Sequence, residues 1–302
     1  MTDIPLPAVA LAAVPGRRKA TLELAREIER RGFSGVYCAS YGDGVGLCEA
    51  LALVTERIPF GTAIANIYTR HVSDYAPTAS LIHELSDGRF HFGVGVSHVP
   101  FLARIGLQAG KPLADMRRFV EEFRAVPRAG ELPPLVVAAL RKKMVALAGE
   151  LAEGVVFANA SRSHMPESLA ALPADKRADP NFFVGNMIPT CVSDDRKAAA
   201  AVNRRTLSGY VTLPNYRNYW KEAGYVEEME AVEKALANRE HDKLPSLLSE
   251  RWLADSTLSG SAAEIREGVE AWYAAGVPTP ILVPSSTAGG QMKAFEELFE
   301  VF

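Results

Sequence analysis

The stretch of residues 58–100 contains two apolar runs with a helical pattern between them, which predicts a βαβ unit. The runs cover residues 58–65 and 89–96, and glycine interrupts both of them. A right-handed crossover would bring the exits of both strands to the same edge of a sheet. Ligands of parallel sheets bind at that edge, so we expect the residues just after these two runs to lie near a ligand.

Strand-like and helical segments alternate along most of the chain. The predicted strands cover residues 7–14, 35–38, 58–65, 89–96, 135–138, 154–157, 182–188 and 279–283. Helical periodicity separates nearly all of them, and this favours a (β/α)8 TIM barrel over an open Rossmann sheet within the α/β class. We therefore predict a single domain over residues 1–302.

Residues 203–258 depart from this alternation and predict a helical insertion between the seventh and eighth strands. The segment is aromatic and helical around residues 214–220, and only Tyr210 and Val211 are strand-like. Its place in the chain puts it at the carboxyl-end face of the sheet. A lid or wall of a substrate pocket and a purely structural cap are both open at this stage.

Local signals fix several element ends. Ser261 and Glu264 form a capping-box pattern that predicts the start of a helix, and Gly276 predicts its end. Residues 101–110 and 173–181 lack periodicity, so we predict a loop and a connection there.

Composition narrows the function class. The formal charge of −3 and pI near 6.1 provide no excess of cations for a phosphate backbone, so we expect no nucleic-acid partner. We see no secretory leader and no apolar run of the about 20 residues that a membrane span needs, so we expect a cytoplasmic protein with no membrane partner. The cysteines Cys38, Cys48 and Cys191 are scattered and predict buried thiols.

Polar side chains follow the second, third and fourth predicted strands. Tyr41 and Asp43 follow the second, Tyr68 and Arg70 the third, and His98 the fourth. They are candidate acid, base and orienting groups, and each one could equally be a satisfied polar residue in a turn.

Other chemistries find little support. The histidines lie mostly on predicted helices or within strands, and the first strand has no His or Asp, so we predict no metal site. No Gly-x-Ser-x-Gly elbow is present. Gly93 and Gly95 do not complete a dinucleotide fingerprint because His98 occupies the position of its third glycine.

The exit of the fifth strand is basic. Residues 139–143 read Ala-Leu-Arg-Lys-Lys and begin a predicted helix, where free N–H groups and cations suit a phosphate. A solvated basic helix end is the alternative interpretation.

Three segments together resemble the luciferase-like barrel oxidoreductases, which use flavin or the deazaflavin coenzyme F420. They are residues 61–71 (GTAIANIYTRH), 84–98 (ELSDGRFHFGVGVSH) and 111–117 (KPLADMR). Residues 209–218 (GYVTLPNYRN) resemble the subgroup described as deazaflavin-dependent.

The resemblance implies roles for particular residues. It implies a cis bond between Ala63 and Ile64, with Ile64 supporting one face of the redox ring and Asn66 hydrogen-bonding near it. Val96, Ser97 and His98 would line the other contacts of the ring. The phosphate end of the cofactor, FMN or F420, is assigned to Ala139, Leu140, Arg141 and Lys142.

Two positions depart from the family pattern. Many relatives have His where this chain has Tyr41, and deazaflavin enzymes often have Glu where this chain has His98. The acid and base roles of the family therefore do not transfer intact. We predict His98 and Tyr41 as the catalytic proton donors.

The resulting prediction is an oxidoreductase that transfers a hydride between F420 or FMN and a small organic substrate. One alternative is an FMN-dependent monooxygenase that needs a partner flavin reductase. Another is a barrel that binds a ligand without catalysis. Because relatives are commonly dimers through helices of the early barrel, we also expect a homodimer.

Overall fold

The computed structural model describes residues 5–40 and 42–302. These residues form two compact units. The first unit contains the chain up to Val156 together with Ala170–Gly185, and the second contains Phe157–Leu169 and Asn186–Phe302. The prediction of a single domain stays a prediction.

The strands follow the predicted order, and most of them are short. In chain order they are β1 (Ala8–Leu11), β2 (Val36–Cys38), β3 (Phe60–Thr62), β4 (Ala65–Asn66), β5 (Phe90–Gly95), β6 (Leu135–Ala138), β7 (Gly154–Ala158), β8 (Phe183–Val192), β9 (Leu258–Gly260) and β10 (Thr279–Ser285). The third predicted strand is interrupted and forms β3 and β4.

Helices separate most of the strands. In chain order they are α1 (Arg18–Arg30), α2 (Gly44–Val54), α3 (Val72–Leu85), α4 (Val99–Arg104), α5 (Pro112–Arg124), α6 (Lys142–Leu151), α7 (Met165–Leu169), α8 (Ala174–Ala178), α9 (Arg196–Tyr210), α10 (Pro214–Glu222), α11 (Val226–Ala237), α12 (Leu244–Leu247), α13 (Glu250–Ser256), α14 (Ala262–Ala274) and α15 (Gln291–Phe299).

The first unit is a parallel sheet with helices packed against it. Its strands pair in the order β1, β2, β3, β5, β6 and β7, and β4 pairs with β5. The βαβ unit predicted around residues 58–100 is therefore confirmed, since β3 and β4 both run parallel to β5 across α3.

The two faces of β5 differ in side-chain size. One face carries Phe90, Phe92 and Val94, which are buried, and Phe92 packs against aromatic rings of α3 and α5. The other face begins with His91 and continues with two glycines, because successive side chains of a strand point to opposite faces. The carboxyl half of β5 is therefore bare on one face.

Arg89 fixes the start of β5 and explains part of the SDGR segment at residues 86–89. Its guanidinium, above the ring of Phe60, donates to the carbonyls of Ala52, Thr55 and Ile58. Two of these carbonyls belong to the last turn of α2 or its cap, where a cation is favourable. This segment thus joins α2 to β3 and β5, beneath the site described below.

The second unit contains the predicted insertion. In it β8 pairs with both β9 and β10. The insertion is helical, as predicted, and its aromatic side chains are buried: Tyr216, Tyr219, Trp220, Tyr225 and Trp252.

The insertion is bonded to the segment that follows β7. Ser161 N–H donates to the hydroxyl of Tyr219 at 3.1 Å, and the indole of Trp220 donates to the carbonyl of Asn159 at 3.2 Å. The buried Asp255 carboxylate accepts from the backbone N–H and the hydroxyl of Ser163. These contacts make the insertion a packed part of its unit.

Several local predictions are wrong. Residues 101–110 contain most of α4, and residues 173–181 contain α8; both helices are too short to show a helical period in the sequence. Tyr210 ends α9 and Val211 caps it, since Val211 is fully buried there and packing overrides its strand propensity. The short strand β9 at the end of the insertion was not predicted.

Other local predictions are confirmed. The capping box at Ser261 and Glu264 is formed, and Gly276 follows the helix with φ of 89°. All three cysteines are buried and free.

None of the helices in residues 5–40 and 42–302 combines the length and the hydropathy that a membrane span requires.

Candidate active site

The candidate site lies in the first unit, where β4 and β5 end side by side. Asn66 is paired with Gly95 in the register of these strands, and the N–H of Ile67 donates to the carbonyl of Gly95 at 3.1 Å. The two strand exits that the sequence predicts to be neighbours are therefore neighbours.

A cis peptide bond joins Ala63 and Ile64, as the resemblance implies. The side chain of Ile64 covers the bare face of β5: a Cβ added to Gly95 would come within 2.9 Å of Ile64 and 3.1 Å of Ala138. Gly93 is equally restricted, because its Cβ would collide with the carbonyl of Thr62. Both glycines are thus needed for the close approach of β3, β4 and β6 to β5.

Asn66 accepts four hydrogen bonds, one at its side-chain oxygen and three at its main-chain carbonyl. Its Oδ1 accepts from the N–H of Tyr68 at 2.9 Å, and its carbonyl accepts from the hydroxyls of Thr69 at 2.9 Å and Tyr75 at 2.8 Å. The backbone N–H of Thr69 also donates to this carbonyl, at 3.3 Å. The Nδ2 atom is buried and has no hydrogen-bond partner in the described chain.

Tyr68 connects this turn to α5. Its hydroxyl donates to Oδ2 of Asp115 at 2.7 Å, and Arg118 donates to the other oxygen of this carboxylate at 2.8 Å. Burial, then the bond to Asp115 and its charge, raise the pKa of Tyr68 to about 12. Tyr68 is therefore a protonated, engaged side chain at neutral pH.

The exit of β5 continues through Val96, Ser97 and His98, which are all half-buried. Ser97 has a φ of 57°, so the chain turns sharply before His98, which occupies the N-cap position of α4. Burial lowers the pKa of the His98 imidazole below its ordinary value, because desolvation disfavours the charged form. The neutral ring is therefore the favoured form near pH 7.

Asp43 and Arg70, two other candidates, are used in structural contacts. Asp43 caps α2 by accepting from the N–H of Gly46 at 3.1 Å, and it pairs with Arg70 at 3.3 Å. The interpretation of these two residues as satisfied polar groups is the better one. Tyr41 lies outside the described residues.

The predicted phosphate residues stand at the exit of β6. Ala139 is buried and Leu140 half-buried, whereas Arg141, the N-cap of α6, and Lys142 are exposed. Because β6 pairs with β5, this exit is next to the one that carries His98.

The residues that support the site were partly missed by sequence reasoning. Asp115 was within the segment 111–117 that carries the resemblance, but its contact with Tyr68 joins residues far apart in the chain. Tyr75 was assigned only to the packed face of a helix. Among residues 5–40 and 42–302, no group of three or more His, Cys, Asp or Glu side chains comes together as a metal would need.

Comparison with known proteins identifies the family. The model of the luciferase-like monooxygenases matches residues 7–279. The chain belongs to this family. One family relative is a Mycobacterium tuberculosis protein assigned by name to the coenzyme F420-dependent oxidoreductases; it is 23% identical, with 77% of this chain and 80% of that protein covered.

Solved structures show the same fold. The F420-dependent tetrahydromethanopterin reductase from Methanopyrus kandleri has a TM-score of 0.75 at 16% identity, with 97% of both chains covered. An F420-dependent secondary alcohol dehydrogenase, in complex with an F420-acetone adduct, has a TM-score of 0.73 at 15% identity, with 98% of both chains covered.

A structure with FMN also shares the fold. The oxygenating constituent of 3,6-diketocamphane monooxygenase from Pseudomonas putida has a TM-score of 0.58 at 15% identity, with 92% of both chains covered. These likenesses confirm the (β/α)8 barrel as the fold class. Within the family, F420-dependent and FMN-dependent enzymes both occur.

Proposed function

We propose that this protein is an oxidoreductase that binds F420 or FMN and transfers a hydride between that cofactor and a small organic substrate. The observation that carries the proposal is the unpartnered Nδ2 of Asn66, a buried donor at the carboxyl ends of β4 and β5. A buried N–H without an acceptor is costly, by about 1–3 kcal/mol. A carbonyl or ring nitrogen of a flat redox ring would satisfy it.

The surroundings of Asn66 fit such a ring. Gly93 and Gly95 leave one face of β5 bare, and Ile64 supplies an apolar surface over it. A flat, uncharged ring suits this surface. We therefore assign Ile64 and Ala63 to one face of the ring, Asn66 to its polar edge, and Val96 and Ser97 to its remaining contacts.

A second part of the proposal concerns the phosphate end. The dipole at the N-terminus of α6 favours an anion, and Arg141 and Lys142 stand there with exposed side chains. With Ala139 and Leu140 leading into that turn, the cofactor would extend from Asn66 along the exits of β5 and β6.

His98 is the residue to which we assign proton transfer. The bound cofactor supplies hydride chemistry, while the protein orients the reactants and handles protons. A neutral imidazole can accept the proton of a substrate hydroxyl at its unprotonated ring nitrogen. When the reaction runs in the opposite direction, the imidazolium returns this proton to the substrate oxygen. Tyr41 stays in the proposal as a second proton donor.

A second candidate function is an FMN-dependent monooxygenase, and the FMN-bound neighbour with the same fold is the observation that favours it. This activity would require a flavin reductase as partner and molecular oxygen. Oxygen consumption with reduced FMN separates it from hydride transfer. We also propose a cytoplasmic protein that works as a homodimer.

A comparative titration tests the proposal. Purified protein is titrated with F420 and with FMN, and binding is followed by the absorbance and fluorescence of the cofactor. We expect one of them to bind, and Asn66→Ala to weaken that binding about tenfold, the effect of one lost hydrogen bond of about 1.4 kcal/mol.

The matched control is Asn181→Ala, which removes the same side chain at an exposed position of the same unit. It should bind as tightly as the wild type. A wild-type protein that binds neither cofactor contradicts the proposed function. If Asn66→Ala and the wild type bind the cofactor with equal affinity, Asn66 does not contact the cofactor.

A further inference from the structure

Asp115 stands outside the candidate site, yet it is the buried end of a chain of hydrogen bonds that leads into it. Only 8% of its side chain is exposed, although it is a carboxylate. Buried carboxylates are rare unless they are paired, and they carry a desolvation cost. Its partners therefore indicate what the residue does.

The chain of bonds runs from Asp115 to Asn66 through one residue. Asp115 accepts from the hydroxyl of Tyr68 at 2.7 Å, and the backbone N–H of Tyr68 donates to Oδ1 of Asn66 at 2.9 Å. Because Tyr68 occupies Oδ1, the carboxamide of Asn66 has one orientation, and its Nδ2 remains for a ligand.

The same carboxylate also fixes the segment that follows His98. A Cβ on Gly110 would collide with Oδ2 of Asp115, so the loop between α4 and α5 packs directly on this group. His98 is the N-cap of α4, at the other end of that short helix and loop. Asp115 thus contacts elements from both strand exits of the site.

Arg118 does not explain the burial of this carboxylate. Its side chain is 62% exposed, and an ion pair with an exposed partner contributes little to stability. The neutral hydroxyl of Tyr68 is the partner on the buried side. The carboxylate is therefore placed to hold Tyr68.

We propose that Asp115 is a positioning residue, which acts through Tyr68 to hold the carboxamide of Asn66 in the orientation that binds the redox ring. This inference rests on the proposed function. It predicts that Asp115 and Tyr68 affect cofactor affinity only while Asn66 has its side chain.

A double-mutant cycle tests this dependence. Tyr68→Phe and Asp115→Ala are each made in the wild type and in the Asn66→Ala variant, and the Kd of whichever cofactor, F420 or FMN, binds the wild type is measured by titration. We expect each change to raise Kd about fivefold to tenfold in the wild type, and less than twofold in the Asn66→Ala variant.

Thermal unfolding separates positioning from loss of structure. Tyr68→Phe leaves the Asp115 carboxylate without its buried donor, so Tm should fall for this variant as well as for Asp115→Ala. Each Kd is therefore measured well below the Tm of its variant, where the protein is fully folded. Glu122→Gln removes an exposed charge from the same helix and should change neither quantity.

Three results would overturn the inference. Equal increases of Kd in both backgrounds would show that Asp115 and Tyr68 act without Asn66. An unchanged Kd for Tyr68→Phe in the wild type would show that the hydroxyl positions nothing. A wild-type protein that binds neither F420 nor FMN would overturn the proposed function and this inference together, and that outcome is distinct from the other two.

Discussion

His98 shows how one residue takes its properties from its surroundings. A sharp turn at Ser97 places it half-buried at the N-cap of α4, and burial lowers the pKa of its imidazole. Many deazaflavin enzymes, by the resemblance drawn above, use a carboxyl group at this position. A neutral imidazole differs from a carboxylate because it carries no charge near pH 7 and can still accept a proton.

The first prediction concerns the titration of His98. In the folded protein we expect its imidazole to titrate below about 6.5, the value of an unhindered histidine, because the protonated form is poorly solvated. The ring proton shifts of histidine, followed by NMR against pH and assigned with His98→Gln, measure this directly.

The control for this titration is the protein unfolded in denaturant, where all histidines should titrate near about 6.5. The lowered pKa of His98 also makes the stability of the fold depend on pH. The unfolded state binds the proton more readily, so stability is lost as pH falls below about 6.5 towards the folded pKa. A folded-state titration at or above 6.5 would contradict the prediction.

For single residues, the sequence predicted which positions belong to the site better than it predicted which side chains contact each other. His98, Asn66 and the Ala63–Ile64 bond came from strand exits and from the family resemblance, which are local in sequence. The bond between Tyr68 and Asp115 joins residues 47 positions apart, and no periodicity or motif encodes such a pairing. Only the fold brings these two side chains together.

Among the elements, the turn before β3 is the clearest case of one side chain fixing a strand. Glu29, near the end of α1, accepts from the backbone N–H groups of Glu56, Arg57 and Ile58 at 2.7–2.9 Å. Partial burial is the largest single influence and raises the pKa of Glu29, but the three N–H groups together lower it overall.

The second prediction follows from this lowered pKa. Glu29→Gln should destabilise the protein by about 1–3 kcal/mol at pH 7, because the hydrogen bonds lose the charge of the acceptor. A carboxylate with a depressed pKa stabilises the fold above its unfolded pKa of about 4.3, and this contribution is lost as pH falls through the folded pKa. Urea unfolding at pH 7 and at pH 3 measures both effects.

Glu27→Gln is the matched control on the same helix. Glu27 pairs with Arg30 and Arg31 at the surface, where such pairs contribute about 0–1 kcal/mol. The Glu27→Gln substitution should therefore leave the free energy of unfolding nearly unchanged. If the two glutamine variants are equally stable at pH 7, Glu29 does not hold the start of β3.

Element boundaries were predictable where a pattern was long enough. Helices α1, α3 and α5 span 13 or 14 residues and repeat their buried positions several times. Helices α4 and α8 have six and five residues, so their patterns do not complete two turns. For the insertion, the sequence left a lid and a packed cap open, and its buried aromatic side chains support the packed cap.

For the whole molecule, the homodimer proposed above needs an interface, and exposed leucines on two helices are candidates for its centre. Leu53 on α2 is 71% exposed, and Leu81 and Leu85 on α3 are 51% and 44% exposed. These helices contact each other within the first unit. Stable interfaces bury about 1,200–2,000 Å² in total, so a leucine-rich surface over two helices is a suitable centre for one.

The third prediction is that the double substitution Leu53→Glu and Leu81→Glu gives a monomer, because each change would bury a charge in the proposed dimer interface. Light scattering after size-exclusion chromatography measures the mass. Val226→Glu, at an exposed apolar position of the second unit, is the control and should remain a dimer. A wild-type protein of monomer mass, about 32.7 kDa, would contradict the proposed homodimer.

The position of the tryptophans has a practical consequence for spectroscopy. The sequence contains three tryptophans, Trp220, Trp252 and Trp272, and all of them are buried in the second unit. Indole emission therefore reports on the second unit, whereas the candidate site belongs to the first. A melting curve recorded at tryptophan wavelengths therefore follows the insertion and its neighbours, and unfolding of the first unit needs a reporter of its own.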